Sequence, residues 1–352
     1  HEMLEAQMLT LKEMFGLKPD DIDIPGLPLF SLFTLSMGMS SVIPDMNASR
    51  PAKCDPKKIV KNILDNKATF LAGSPAIWQK VADYCMKKQI TLESVKYLVT
   101  FGAPVANKFH FDFKKILKNG TTYTPYGATE ALPISNISGR EIINSFAERV
   151  DRGEGTCVGK FVNGVTASII PISELEIFEL NETQQLKIGE IGEIIIKGKM
   201  VSQKYFNSKN ETKISKIKDG NEFWHRMGDI GYLDSNHNLW FLGRKSHLVK
   251  TKNKELYTAS CEVVYNKHPN VKRSALIPLG DSMPYAPALV IEKMGKINGA
   301  QMISELKKIS SKYSHTKEID QFYFIKKLPV DIRHNIKIDR MLLKRQIEGK
   351  YL

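Results

Sequence analysis

The stretch Tyr126-Gly127-Ala128-Thr129-Glu130 puts an aromatic ring, a residue with no side chain, a hydroxyl and a carboxylate close together. These residue types suit phosphate chemistry. Glycine lets the backbone come close to a ligand, threonine offers a hydroxyl to a phosphate, and glutamate holds a hard cation. A plainer reading competes with this one: a strand ends, Gly127 turns the chain and Glu130 faces water. More chemistry-bearing residues follow. "HRMGDIGYLD" contains Asp229 beside a glycine, "GRKSH" contains Arg244, and "IRHNIKIDR" contains Lys337.

Elements must position these residues, and the first part of the chain alternates. Helical patterns run over about 2–15, 55–67 with Asp55 as N-cap, onward from Pro75, and over 105–117. Between them, "ATFLAGS", "VKYLVTFG" and "TTYTPYG" read as strands. This alternation predicts an α/β fold with a parallel sheet covered by helices. Such sheets bind ligands at the carboxyl ends of their strands. "AGS" at 72–74, "FGAP" at 101–104 and "YGATE" at 126–130 all fall there. From about 138 to 242 short β-rich runs replace the alternation, and after Gly243 a small α+β unit is expected. The run "GEGTCVGK" (Gly153 to Lys160) imitates a phosphate loop. It lacks the first glycine and the terminal Ser/Thr, so it reads as an ordinary loop.

Composition narrows the partners. The chain has 352 residues and a formal net charge of +13, but its lysines are spread out and no basic block is interleaved with aromatics. That pattern reads as a solvated surface and speaks against nucleic acid. Cys54, Cys85, Cys157 and Cys261 are far apart, without metal spacing, which suits reduced thiols in the cytoplasm. The apolar stretch from Leu27 to Pro44 is broken by Ser31, Thr34, Ser36, Gly38, Ser40 and Ser41, so it is no membrane span.

Taken in order, "YGATE", "GEIGEIIIKG", "HRMGDIGYLD" with "WFLGRKSHLVK", and "LPVDIRHNIKIDR" resemble the adenylate-forming superfamily of acyl-CoA synthetases, luciferases and peptide-synthetase adenylation domains. The likeness covers nearly the whole chain. "TPYGATEALPIS", "RGEGTCVGK", "WHRMGDIGYLD" and "PVDIRHNIKI" look like the bacterial olefin β-lactone synthetases in particular. The resemblance implies that residues 1–242 are the C-terminal part of a large domain with a β-rich subdomain at 138–242. Residues 243–352 would be a small mobile domain swinging about Gly243 to Ser246. Tyr126 would stack on adenine, while Gly102, Ala103, Pro104 and Gly127 would line the nucleotide and acyl pocket. Thr129 would touch the α-phosphate, Glu130 would hold Mg²⁺, Asp229 would bind both ribose hydroxyls, and Arg244 would approach the ribose. Lys337 would neutralise charge between carboxylate and α-phosphate.

The implied cofactors are ATP and Mg²⁺. The implied substrate is a long-chain β-hydroxy acid, activated as acyl-adenylate and closed to a β-lactone by its own hydroxyl. His225 and His334 are candidate bases for that closure, and Phe30, Phe33, Met37 and Met39 are candidate walls of the acyl pocket or ordinary core. Three departures from the superfamily pattern stand out. No Gly/Ser/Thr-rich phosphate loop precedes "HEMLEAQ", so the chain is expected to be N-terminally truncated and a poor ATPase by itself. Ser31 replaces a common histidine. Ser246 stands at the hinge position, and Asn253 where a glycine usually lets coenzyme A pass, so coenzyme A is not expected. A fatty acyl-CoA or acyl-AMP ligase is the first alternative, and a non-catalytic binding module the second. Association with a membrane surface or with pathway enzymes stays open.

Overall fold

The computed structural model describes residues 1–102, 104–330 and 337–349. Strands β1 (Ile22–Pro25), β2 (Ser40–Ser41), β3 (Phe70–Gly73), β4 (Tyr97–Thr100) and β5 (Thr121–Tyr123) form a parallel sheet in the order β2-β1-β3-β4-β5. Because side chains alternate along a strand, each face has its own core. Ile24, Leu71 and Leu98 face the helices Pro56–Asp65, Pro75–Lys88 and Asn107–Ile116. Phe70, Ala72 and Val99 face the helices Glu2–Phe15 and Pro28–Ser36. The Asp55 side chain accepts from Lys57 N at 2.9 Å, and Pro75 stands in the first turn of its helix, as the sequence predicts. The helix Pro28–Ser36 is not announced by periodicity. Most of its residues are apolar, so no polar face marks the turn.

Eight further strands build a second sheet: β6 (Tyr126–Ala128), β7 (Ala131–Asn136), β8 (Thr156–Phe161), β9 (Val165–Ile170), β10 (Gly192–Gly198), β11 (Lys216–Asp219), β12 (Glu222–Leu233) and β13 (Leu239–Arg244). Its order is β6-β7-β8-β13-β12-β10-β9, with β11 on β12. After it come the pair β14 (Val249–Lys250) and β15 (Glu255–Leu256), and a three-stranded sheet of β16 (Val271–Leu279), β17 (Ala286–Lys293) and β18 (Gln321–Ile325). The helices Thr258–Asn266, Gly299–Lys312 and Arg340–Ile347 accompany them, completing an α/β architecture with a terminal α+β unit.

Two sequence expectations are corrected. "TTYTPYG" is not one strand. Thr121–Tyr123 ends the parallel sheet, and Tyr126–Ala128 opens the antiparallel one after Pro125, which has no N–H to donate to a ladder. The run at 153–160 is not simply a loop, because Thr156 onward is strand β8. Its glycine spacing drew attention from Cys157 and Val158, which are buried core residues.

Candidate active site

Strands β6 and β7 form a tight hairpin with Ala128 opposite Ala131, so Thr129 and Glu130 are its turn. Gly127 does not turn the chain; it lies within β6. A Cβ there would stand 2.5 Å from the Ala131 carbonyl oxygen and 2.8 Å from Leu132 Cδ1, so only glycine fits. The hairpin presents Thr129 to solvent and leaves Glu130 half-buried.

Glu130 is gripped twice. Its carbonyl accepts from Ser202 N at 2.7 Å, and its Oε1 accepts from the Tyr205 hydroxyl at 2.8 Å. Burial works to raise this carboxyl, but the Tyr205 hydroxyl and the nearby His225 and Lys216 hold it below the usual glutamate range. Lys216 is buried, and its Nζ donates to the Ser202 carbonyl and Oγ. Burial pulls Lys216 down to about 8.

The second carboxylate is placed by a bulge. Glu193 of β10 pairs with Ile230 of β12, and Ile195 pairs with Arg226, so residues 227–229 stand against the single residue Ile194. Gly228 absorbs the distortion at φ +63°, in the left-handed region. Asp229 is only 3% exposed. Its Oδ2 accepts from the Tyr126 hydroxyl at 2.6 Å, and its Oδ1 lies 3.1 Å from Arg244 Nε, across the β12–β13 ladder where the two residues are paired. Burial raises Asp229 to about 6, against the opposing pull of Arg244, Tyr126 and Lys337. The charge of Lys337, itself solvent-exposed, therefore reaches Asp229. Lys245 Nζ donates to the Ser173 carbonyl at 2.9 Å and to Glu193 Oε2 at 3.2 Å, tying the residue after β13 to β10 and the segment before it.

The remaining candidates are more dispersed. Gly102 and Pro104 are exposed just past the end of β4, while Ala103 lies outside the described residues. Phe101 stacks on Phe30 with centroids 4.3 Å apart, and Phe30, Phe33, Met37 and Met39 share one buried cluster with Phe70 and Val99. His225 has Nδ1 3.2 Å from the Ser215 carbonyl, and burial pushes it down to about 4. Such an imidazole stays neutral and takes up little proton near neutrality, which weakens its case as a base. His334 lies outside the described residues. Sequence reasoning missed Tyr205 and Lys216. A lysine in a chain this rich in lysine carries no signal until its burial is seen.

The family model for AMP-binding enzymes matches residues 9–206. The chain belongs to the AMP-binding enzyme family. It is 37% identical over 349 residues to an olefin beta-lactone synthetase of Xanthomonas campestris, covering 97% of this chain and 62% of that protein. An olefin beta-lactone synthetase of Stenotrophomonas maltophilia is 35% identical, with the same coverage of 97% and 62%. The chain thus spans less than two thirds of the length of these relatives. Among solved structures, the O-succinylbenzoate coenzyme A synthetase of Bacillus subtilis, in complex with ATP and magnesium ion, superposes with a TM-score of 0.78 at 19% identity. That match covers 97% of this chain and 65% of the other, and it shows the shared fold. No helix among the described residues is long and apolar enough to cross a membrane.

Proposed function

We propose that this AMP-binding family member activates a long-chain β-hydroxy carboxylic acid with ATP and closes the acyl-adenylate to a β-lactone without coenzyme A. The observation that carries this reading is the convergence on Asp229 of Tyr126, Arg244 and the charge of Lys337, from three separate segments. The names of the two relatives above 30% identity support the lactone product.

In the first step the substrate carboxylate attacks the α-phosphorus and pyrophosphate leaves. Asp229, once ionised, accepts the ribose hydroxyls. Thr129 donates to the α-phosphate, and Lys337 offsets the charge that builds between the two anions. Tyr126, Gly127, Gly102 and Pro104 line the nucleotide site, with Arg244 at the ribose. The residues fit a magnesium ion that arrives with the nucleotide. No group of three or more His, Cys, Asp or Glu able to hold a metal occurs among the described residues, yet Mg²⁺ on a substrate phosphate needs only one or two carboxylates. Glu130, held ionised, is the one offered. When bound, the ion would draw charge from the phosphates. In the second step the β-hydroxyl oxygen attacks the acyl carbonyl, the bond to AMP breaks, and the hydroxyl proton leaves to a base. The tethered nucleophile gives this closure its proximity advantage. The small unit that carries Lys337 follows β13, and the 243–246 segment would serve as its pivot.

Mass spectrometry of organic extracts tests this reading. The longest natural form of the protein that contains this chain is supplied with a long-chain β-hydroxy acid, ATP and Mg²⁺. The expected product is a β-lactone with AMP and pyrophosphate. A coenzyme A thioester formed only on adding coenzyme A, with no lactone, would assign the protein to the acyl-CoA ligases instead.

A further inference from the structure

Glu130 sits in a hairpin turn next to the exposed Thr129, so its own strand ladder does not fix its carboxylate. Orientation must come from across the fold, and it comes from the segment between β10 and the helix Lys209–Ser215. Ser202 N holds the Glu130 carbonyl, and the Tyr205 hydroxyl holds Oε1. The segment is itself pinned. Tyr205 N donates to Thr212 Oγ1 at 3.0 Å, and Lys216 Nζ bonds the Ser202 carbonyl and hydroxyl.

Lys216 is the unusual part. It opens β11, opposite His225 in the ladder, and is only 6% exposed. Burying an ammonium is costly, so an apolar side chain of similar length would serve packing alone better. Among its neighbours, Glu130 favours the charged form, whereas burial opposes it. The lysine thus serves the segment that grips Glu130.

We infer that Tyr205 and Lys216 are positioning residues for a divalent cation carried on ATP. The Tyr205 hydroxyl fixes the Glu130 carboxylate, and Lys216 holds the segment that carries Tyr205. This rests on the function proposed above, and neither residue touches the reacting atoms. Partners that orient a metal ligand typically change metal affinity by about tenfold or more when removed. Tyr205→Phe removes one oxygen and keeps the ring, so it tests the inference with little risk to folding.

The test is a Mn²⁺ titration followed by electron paramagnetic resonance, with ATP present, on the longest natural form and its Tyr205→Phe and Lys216→Met variants. AMP binding is measured alongside without metal. The expected result is Mn²⁺ affinity weakened about tenfold in Tyr205→Phe, with AMP binding retained. Lys216→Met should act in the same direction. A folded Tyr205→Phe protein that binds Mn²⁺ as the parent does would overturn this inference alone. Equal losses of Mn²⁺ and AMP affinity would also overturn it, by showing a general structural role. A parent protein that binds no AMP would overturn the adenylate reading, and this inference with it.

Discussion

The proposed ribose end and the proposed metal end of the site are built from similar parts and behave in opposite ways. At each end a carboxylate accepts a phenol hydroxyl: Asp229 from Tyr126 at 2.6 Å, and Glu130 from Tyr205 at 2.8 Å. A cation attends each, Arg244 in one case and Lys216 in the other. Yet Asp229 is pushed up to about 6 while Glu130 is held below its usual range. Depth makes the difference. Asp229 is almost fully enclosed and its arginine is about half exposed, so desolvation wins. Glu130 is only half-buried, so its partners win. Similar partners therefore do not imply similar titration. The ribose end should lose function on mild acidification, and the metal end should not.

Lys337 offers the largest effect with which to break this picture. Lys337→Ala should lower ATP–pyrophosphate exchange by about a hundredfold or more while leaving much of the ATP binding, because its charge is needed most in the transition state. Exchange that survives the change would remove Lys337 from the reaction.

Asp23 extends the depth argument to a carboxyl outside both ends. It is fully buried in β1, with Thr34 donating at 3.0 Å to Oδ2 and no partner for Oδ1. Burial raises it to about 7. Its folded form therefore prefers the proton. The stability this confers is complete in acid and falls as pH rises from the ordinary carboxylate range through about 7. Asp23→Asn should remove that fall and stabilise the protein by about 2 kcal/mol at mildly alkaline pH, read by denaturant titration across pH. Parallel pH profiles for parent and variant would contradict the depth argument.

Gly127→Ala should destabilise by about 1 to 2 kcal/mol in thermal unfolding, since its Cβ would meet backbone rather than a movable side chain. It should also weaken both ends together, because Tyr126 and Glu130 share that hairpin. A variant as stable as its parent would show that the hairpin relaxes.

Tyr126→Phe sharpens the contrast most finely. Its hydroxyl favours the ionised Asp229, so removing it should raise the pH at which AMP affinity begins to fall on acidification, by less than about one unit. An unchanged midpoint would mean that another group controls the acid limb.

Much of the frame was legible in the sequence. Asp55 and Pro75 announced their helices, and the runs ending at Gly73 and Gly102 marked the carboxyl edge of the parallel sheet, whereas the run at 126–130 belongs to the second sheet. Other features were not legible, for physical reasons. "TTYTPYG" reads as one β stretch, but Pro125 splits it between two sheets, and no local pattern says which sheet Tyr126 joins. The helix Pro28–Ser36 is too uniformly apolar to show a period. At the candidate site, the family resemblance pointed to Asp229, Arg244 and Glu130, and the fold brings Asp229 and Arg244 together. The sequence could not name Tyr205 or Lys216, whose proposed roles rest on burial and on contacts across 75 residues in one case and 14 in the other.

The central claim is that Asp229 holds the nucleoside and Glu130 the metal, as two separable ends of one site. Calorimetric titration of AMP without metal, and of ATP with Mn²⁺, into Asp229→Asn and Glu130→Gln tests this most directly, on this chain and on the longest natural form. The account predicts that Asp229→Asn loses about tenfold or more in AMP affinity, the cost of a lost charged hydrogen-bond acceptor. It predicts that Glu130→Gln keeps AMP binding and loses the gain that Mn²⁺ brings to ATP. AMP binding that survives in Asp229→Asn, or disappears in Glu130→Gln, would contradict it.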